Sequence, residues 1–123
     1  MYSKIVGDHF SDPRNVGQLD APDLVGIAGK VGQGNFMVLH IDLDGDTISD
    51  CRFQTFGCAP AIAAGSLLTQ MIKGQRVEDV LVLTPRKLEE ALGGLPLGRK
   101  HCAAIAAQAL KAAFEPGDAD ADE

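Results

Sequence analysis

The stretch Phe36-Met37-Val38-Leu39-His40-Ile41-Asp42-Leu43-Asp44-Gly45 alternates, with Met37, Leu39, Ile41 and Leu43 on one side and Val38, His40 and Asp42 on the other. A period of two marks a half-buried strand, because successive side chains of extended backbone point to opposite faces. Residues 47–56 run back after Asp44-Gly45, so an Asp-Gly pair between two alternating segments predicts a hairpin. Then the period changes. Ala61 to Lys73 reads as a helix, with Pro60 in its first turn and Gly74 as its C-cap.

Working outward, Val25 to Val31 reads as a third, glycine-interrupted strand. Residues 3–10 predict an opening helix with Ile5, Val6, His9 and Phe10 on one face, stopped by the turn chemistry of Ser11-Asp12-Pro13-Arg14-Asn15. Two small helices follow the long one. The first covers Val77 to Leu83; the second takes Thr84 as N-cap and Pro85 at its first position, and ends at Gly93-Gly94. A last, alanine-rich helix runs from His101 to about Phe114, stopped by Pro116. The fold class is therefore α+β, an antiparallel three-stranded sheet with helices packed on one face.

At 123 residues, 46% apolar and 23% charged, the chain has the size and composition of one globular domain, placed at residues 1–116. Residues 117–123 read as an acidic, disordered tail. With no Trp, one Tyr and five Phe there is no aromatic platform for stacking bases. The net charge of −6 comes from 17 acids against 11 Lys and Arg, and four of those acids sit in the last six residues. A nearly neutral body has no surface for neutralising phosphates, so neither nucleic acid nor an anionic membrane is an expected partner. Three cysteines are an odd number in a chain large enough to stabilise itself by burial, which points to free thiols and the reducing cytoplasm. Met1-Tyr2-Ser3-Lys4-Ile5 lacks the basic start and long apolar stretch of a secretion signal, and nowhere do 18 uncharged apolar residues run together, so neither export nor a membrane span is expected.

Chemistry concentrates at two element boundaries. Cys58 lies in Phe56-Gly57-Cys58-Ala59-Pro60, at the switch from strand to helix, and His101-Cys102 opens the last helix. Unpaired N–H groups at a helix N-terminus favour thiolate, the form that binds metal, so both sulfurs are expected to be activated. Cys51 falls on the opposite strand parity from Cys58, and up to about 23 Å of extended chain separates them, so it reads as core filling. His9 and His40 read as structural. The run Gly29-Lys30-Val31-Gly32-Gln33-Gly34 completes no phosphate-loop or dinucleotide pattern.

Taken together, Asp8 to Gly17 with its Pro13-Arg14-Asn15, then Phe53-Gln54-Thr55-Phe56-Gly57-Cys58-Ala59-Pro60, Leu95-Pro96 and His101-Cys102 resemble the U-type iron-sulfur cluster scaffold family (IscU and the NifU N-terminal domain) over residues 2–114. The resemblance implies a non-enzymatic scaffold that assembles a [2Fe-2S] cluster, with sulfur from a cysteine desulfurase, and passes it to acceptor apo-proteins. It makes Cys58, His101 and Cys102 the matching ligands for iron, a transient cluster or zinc. The family's first cysteine is missing. Gln33 stands where that thiol is expected and Asn35 where the family has aspartate, leaving two neutral amides as the possible fourth ligand or loop contact. The segment offered to a dedicated chaperone reads Leu95-Pro96-Leu97-Gly98-Arg99-Lys100, keeping one proline and losing the next, which argues against that chaperone as a partner. A monomer or a homodimer fits equally. Two other readings stand beside the scaffold: a zinc-bound persulfide acceptor working with the desulfurase, and a metal-free adaptor of the same fold.

Overall fold

The computed structural model describes residues 2–29 and 34–115, so Gln33 and the tail at 117–123 lie outside the described residues. Three antiparallel strands, β1 (Leu24–Gly29), β2 (Phe36–Asp44) and β3 (Thr47–Phe56), lie in the order β1-β2-β3. Met37, Leu39, Ile41, Cys51 and Phe53 face inward and are buried, as the alternation requires. The hairpin turns on Gly45 at φ +64° and Asp46, with Asp44 paired to Thr47. Glycine thus holds the first central position, the left-handed one, rather than the second position of an Asp-Gly turn. A bulge between Asp42 and Leu43 shifts the register, and Leu43 is only half buried.

Five α-helices complete the described chain: α1 (Lys4–Ser11), α2 (Ala59–Ile72), α3 (Val77–Val80), α4 (Pro85–Ala91) and α5 (His101–Ala113), with one 3-10 turn at Leu97–Arg99. Of these, α2 and α5 lie on the inner sheet face, with α1 against α2 and α4 against α5. Two expectations are corrected. The helix placed at Val77 to Leu83 stops at Val80, because Pro85 forces Thr84 into extended backbone as the N-cap of α4. On α1 only Val6 and His9 are buried, whereas Ile5 and Phe10 are exposed. A helix of barely two turns with a single neighbour buries only an i, i+3 stripe.

The contact of helices with sheet is unusually close at two glycines. A methyl group on Gly26 would run into the Ala109 carbonyl oxygen and come within 2.6 Å of the Ala113 amide nitrogen, so β1 presses directly on the α5 backbone. A methyl group on Gly65 of α2 would collide with the ring of Phe53, which is fully enclosed. These contacts seat both helices.

A second device grips α2 from behind. The His9 ring nitrogen Nδ1 lies 2.7 Å from the Ser66 hydroxyl, which accepts from the Arg14 backbone N–H at 2.9 Å. The Ser66 hydroxyl thus joins the His9 ring and the Arg14 backbone in one hydrogen-bonded cluster behind α2. Burial, reinforced by the nearby Arg14 cation, lowers the His9 pKa from its usual value. Asn15, in left-handed backbone at φ +62°, lends its carbonyl to the Phe53 amide while its side chain donates to Thr69 Oγ1 at 3.1 Å. The chain then crosses the outer sheet face, where the Leu19 amide donates to His40 Nδ1 at 3.1 Å. His9 and His40 are thus structural.

Replacing Gly26 by Ala is expected to destabilise the fold by about 1–3 kcal/mol or more, because the overlap is with backbone that cannot rotate away. Urea unfolding of the variant checks this. The pH dependence has a definite sign. In the unfolded chain His9 takes up a proton near its ordinary pKa, about 6.5, while the folded chain resists protonation to lower pH. Stability is expected to be full above that value and to fall as pH drops through it; urea midpoints between about pH 7.5 and 5.5 should decline less steeply in His9→Asn.

Candidate metal centre

Cys58 and Cys102 reach one point because two helices start there. Cys58 is the N-cap of α2, its carbonyl accepting from the amides of Ala61 and Ile62, and Cys102 is the second residue of α5. Their sulfurs lie 3.7 Å apart although 44 residues separate them in the chain. The His101 Nε2 nitrogen lies 3.7 Å from the Cys102 sulfur. A tetrahedral ion bound at about 2.3 Å to each of two sulfurs would hold them about 3.8 Å apart, so the thiol pair already has ligand spacing.

Cys102 is the shared member of both pairs, and access falls off steeply across the set. Cys102 is buried at 1% exposure, Cys58 is half-buried and His101 is exposed. Among the described residues no group of three or more His, Cys, Asp or Glu side chains is placed to hold a metal ion; the structure brings the two thiols together and sets His101 beside Cys102. Asn35, one residue before β2, completes the rim. Its Nδ2 lies 3.1 Å from His101 Nε2, and its Oδ1 lies 3.1 Å from where a side chain on Gly57 would begin. Gly57 thus leaves room for Asn35.

The expected activation of both thiols does not hold for Cys102. Burial pushes that thiol up to about 12, helped by its contact with Cys58, and the Arg99 cation opposes the shift only weakly. Desolvation outweighs the helix terminus, and the free thiol stays protonated at neutral pH. Cys51, 0% exposed, is likewise pushed up to about 12 by burial and donates to the Thr69 carbonyl at 3.4 Å. It fills the core, as its parity predicts.

The segment from Leu95 to Lys100 leads into the site. Leu95 is buried, Pro96 is half-buried, and Leu97 is 88% exposed at the start of the 3-10 turn. Lys100 pairs with Glu89 of α4, whose carboxylate is held below its usual pKa by that hydrogen bond. Arg99 stands beside the Tyr2 hydroxyl with both thiols in its field. Tyr2 carries no signal in the sequence that marks it for the site; it precedes Ser3, whose hydroxyl donates to the Leu92 carbonyl at the end of α4.

A three-stranded sheet covered on one face by helices whose N-termini present two thiols and an imidazole defines a small α+β protein with a soft-donor site. The chain belongs to the NifU-like N-terminal domain family, whose profile matches residues 1–116. It is 47% identical over 114 residues to the iron-sulfur cluster assembly scaffold protein IscU 1 of Archaeoglobus fulgidus, covering 93% of this chain and 74% of that one. It is also 42% identical over 117 residues to the scaffold protein IscU of Rickettsia prowazekii, covering 92% and 88%. The fold matches the crystal structure of a putative iron-sulfur cluster assembly scaffold protein for the SUF system from Fervidobacterium islandicum, with a TM-score of 0.71 at 20% identity over 93% and 96% of the chains. A nitrogen-fixing NifU-like protein (N-terminal) from Brucella abortus superposes with a TM-score of 0.59 at 19% identity over 89% and 77%.

In the metal-free protein near pH 8, iodoacetamide is expected to label Cys58 and to spare Cys51 and Cys102, since only Cys58 is within reach of solvent. Peptide mass spectrometry reads the pattern. Labelling of Cys102 as fast as Cys58 would contradict its burial.

Proposed function

We propose that this protein is an iron-sulfur cluster assembly scaffold that binds iron or a [2Fe-2S] cluster transiently through Cys58, His101 and Cys102. The observation that carries the reading is the 3.7 Å spacing of two thiols drawn from helix ends 44 residues apart. Its chemistry is storage and hand-over, not turnover: two soft sulfurs and an imidazole suit Fe(II), an iron-sulfur unit or Zn(II), whose ligand preferences overlap. The relatives carrying the scaffold name support the same role. In this reading iron and sulfide are cargo, sulfur comes from a cysteine desulfurase, and apo-proteins in the cytoplasm are the recipients.

A fourth donor is needed for a two-iron unit, and Cys51 is buried in the core with its thiol given to a carbonyl. An external thiol, such as one from a recipient, fills that place in the proposed cycle. Cys102 in the free chain is a protonated and enclosed thiol, which disfavours the alternative in which it attacks a desulfurase persulfide before any metal is bound.

Anaerobic reconstitution with ferrous iron, sulfide and excess dithiothreitol tests the assignment. The wild type is expected to develop sulfur-to-iron charge-transfer absorption, and Cys58→Ala and Cys102→Ala to lose most of it. A wild type without that absorption, or two cysteine variants that keep it, would refute the ligand set.

A further inference from the structure

We propose that Asn35 is the latch of the site: in the metal-free chain its side-chain amide holds His101 Nε2, and loading exchanges that hydrogen bond for a bond to metal. The inference rests on the reading of Cys58, His101 and Cys102 as ligands. It concerns a residue that supplies no good donor of its own, since a neutral amide is a poor partner for a soft metal.

The geometry sets the competition. Asn35 Nδ2 lies 3.1 Å from His101 Nε2, and the Cys102 sulfur lies 3.7 Å from the same nitrogen, so Nε2 is the ring atom turned toward the Cys102 thiol. A neutral imidazole nitrogen has one in-plane lone pair, which either accepts from an N–H or binds a metal. With the amide donating, Nε2 accepts and the ring proton is on Nδ1. That is the tautomer a metal bound at Nε2 requires, so the latch orients the ring correctly while occupying its lone pair.

Asn35 is itself placed by its neighbours. Its Oδ1 packs over Gly57, where an added Cβ would sit 3.1 Å from that oxygen and 3.1 Å from the Ala61 Cβ. Asn35 therefore ties the start of β2 to the β3-α2 junction and to the head of α5.

The net worth of a neutral, solvent-accessible hydrogen bond corresponds to a factor of about 3 to 10 in an equilibrium constant. Removing the latch by Asn35→Ala is expected to tighten Zn(II) binding by about that factor, measured by competition with a chromophoric chelator. Gly57→Ala, which crowds Asn35 from below without altering a ligand, is expected to shift affinity in the same direction by less. The second readout is the His101 tautomer in metal-free protein, from long-range proton-nitrogen NMR. Wild type is expected to show Nδ1 protonated and Nε2 bare, and Asn35→Ala a mixture of tautomers.

Weaker zinc binding in Asn35→Ala would make the amide a ligand and overturn the latch. Equal affinity, or a proton on Nε2 in the wild type, would also overturn it while leaving the ligand set standing. Failure of wild type and variant alike to take up zinc would overturn the ligand set and the latch with it.

Discussion

The seating of two helices directly on the sheet is the constraint on which the rest of the molecule depends. Most inner-face positions of α2 and α5 are Ala, Gly or Ser, and Gly26 and Gly65 remove the last side chains that would hold helix and strand apart. Small residues trade buried area for close approach, and close approach fixes where a helix begins as well as where it lies. Here both beginnings fall at the sheet end where Phe36 and Phe56 pair. The 3.7 Å sulfur spacing follows from backbone packing and not from any bond between the cysteines, which are both free.

Helix α2 is gripped on both sides by adjacent residues. Gly65 turns toward Phe53 and the sheet, while Ser66 turns toward His9 and Arg14. The Pro13-Arg14-Asn15 stretch, though distant from the thiols, thus does its work through α2: it pins the helix whose first turn carries Cys58. Asn15 extends the grip to Thr69 and to the Phe53 amide, so one short segment ties helix and strand together. A buried neutral imidazole at the centre of this grip makes the anchoring depend on pH, while the site itself stands at the other end of the helix.

The sheet was legible because alternation is a local signal: the Met37-Leu39-Ile41 stripe and the inward Cys51 and Phe53 needed no knowledge of distant contacts. Helix ends marked by Pro60, Pro85 and the Gly93-Gly94 pair were legible for the same reason. The convergence of Cys58 with His101 and Cys102 was not a matter of spacing. It came from the resemblance and from the placing of both cysteines at element starts. The thiol state was misjudged, because a helix N-terminus can be read from sequence and desolvation cannot; at Cys102 burial is the larger effect. Ile5 and Phe10 were misplaced because periodicity gives a face and not the size of the neighbour that covers it. Asn35 was read as a possible ligand or a loop contact, and its contact with His101 could only come from the fold.

The order of exposure across the donors bears on how a scaffold can both hold and surrender its cargo. Three buried donors would retain a cluster against any recipient, and three exposed ones would lose it to solvent. Here Cys102 is enclosed, Cys58 half-enclosed and His101 open. On the proposed reading an incoming thiol meets the imidazole first, displaces the weakest and most accessible ligand, and works inward to the buried sulfur. Asn35 stands where the freed nitrogen returns, so each ligand lost to the recipient lowers the hold on the next while the vacated imidazole is recaptured by the protein. Two thiolates in place of three shift that balance toward release, which suits transient holding followed by hand-over.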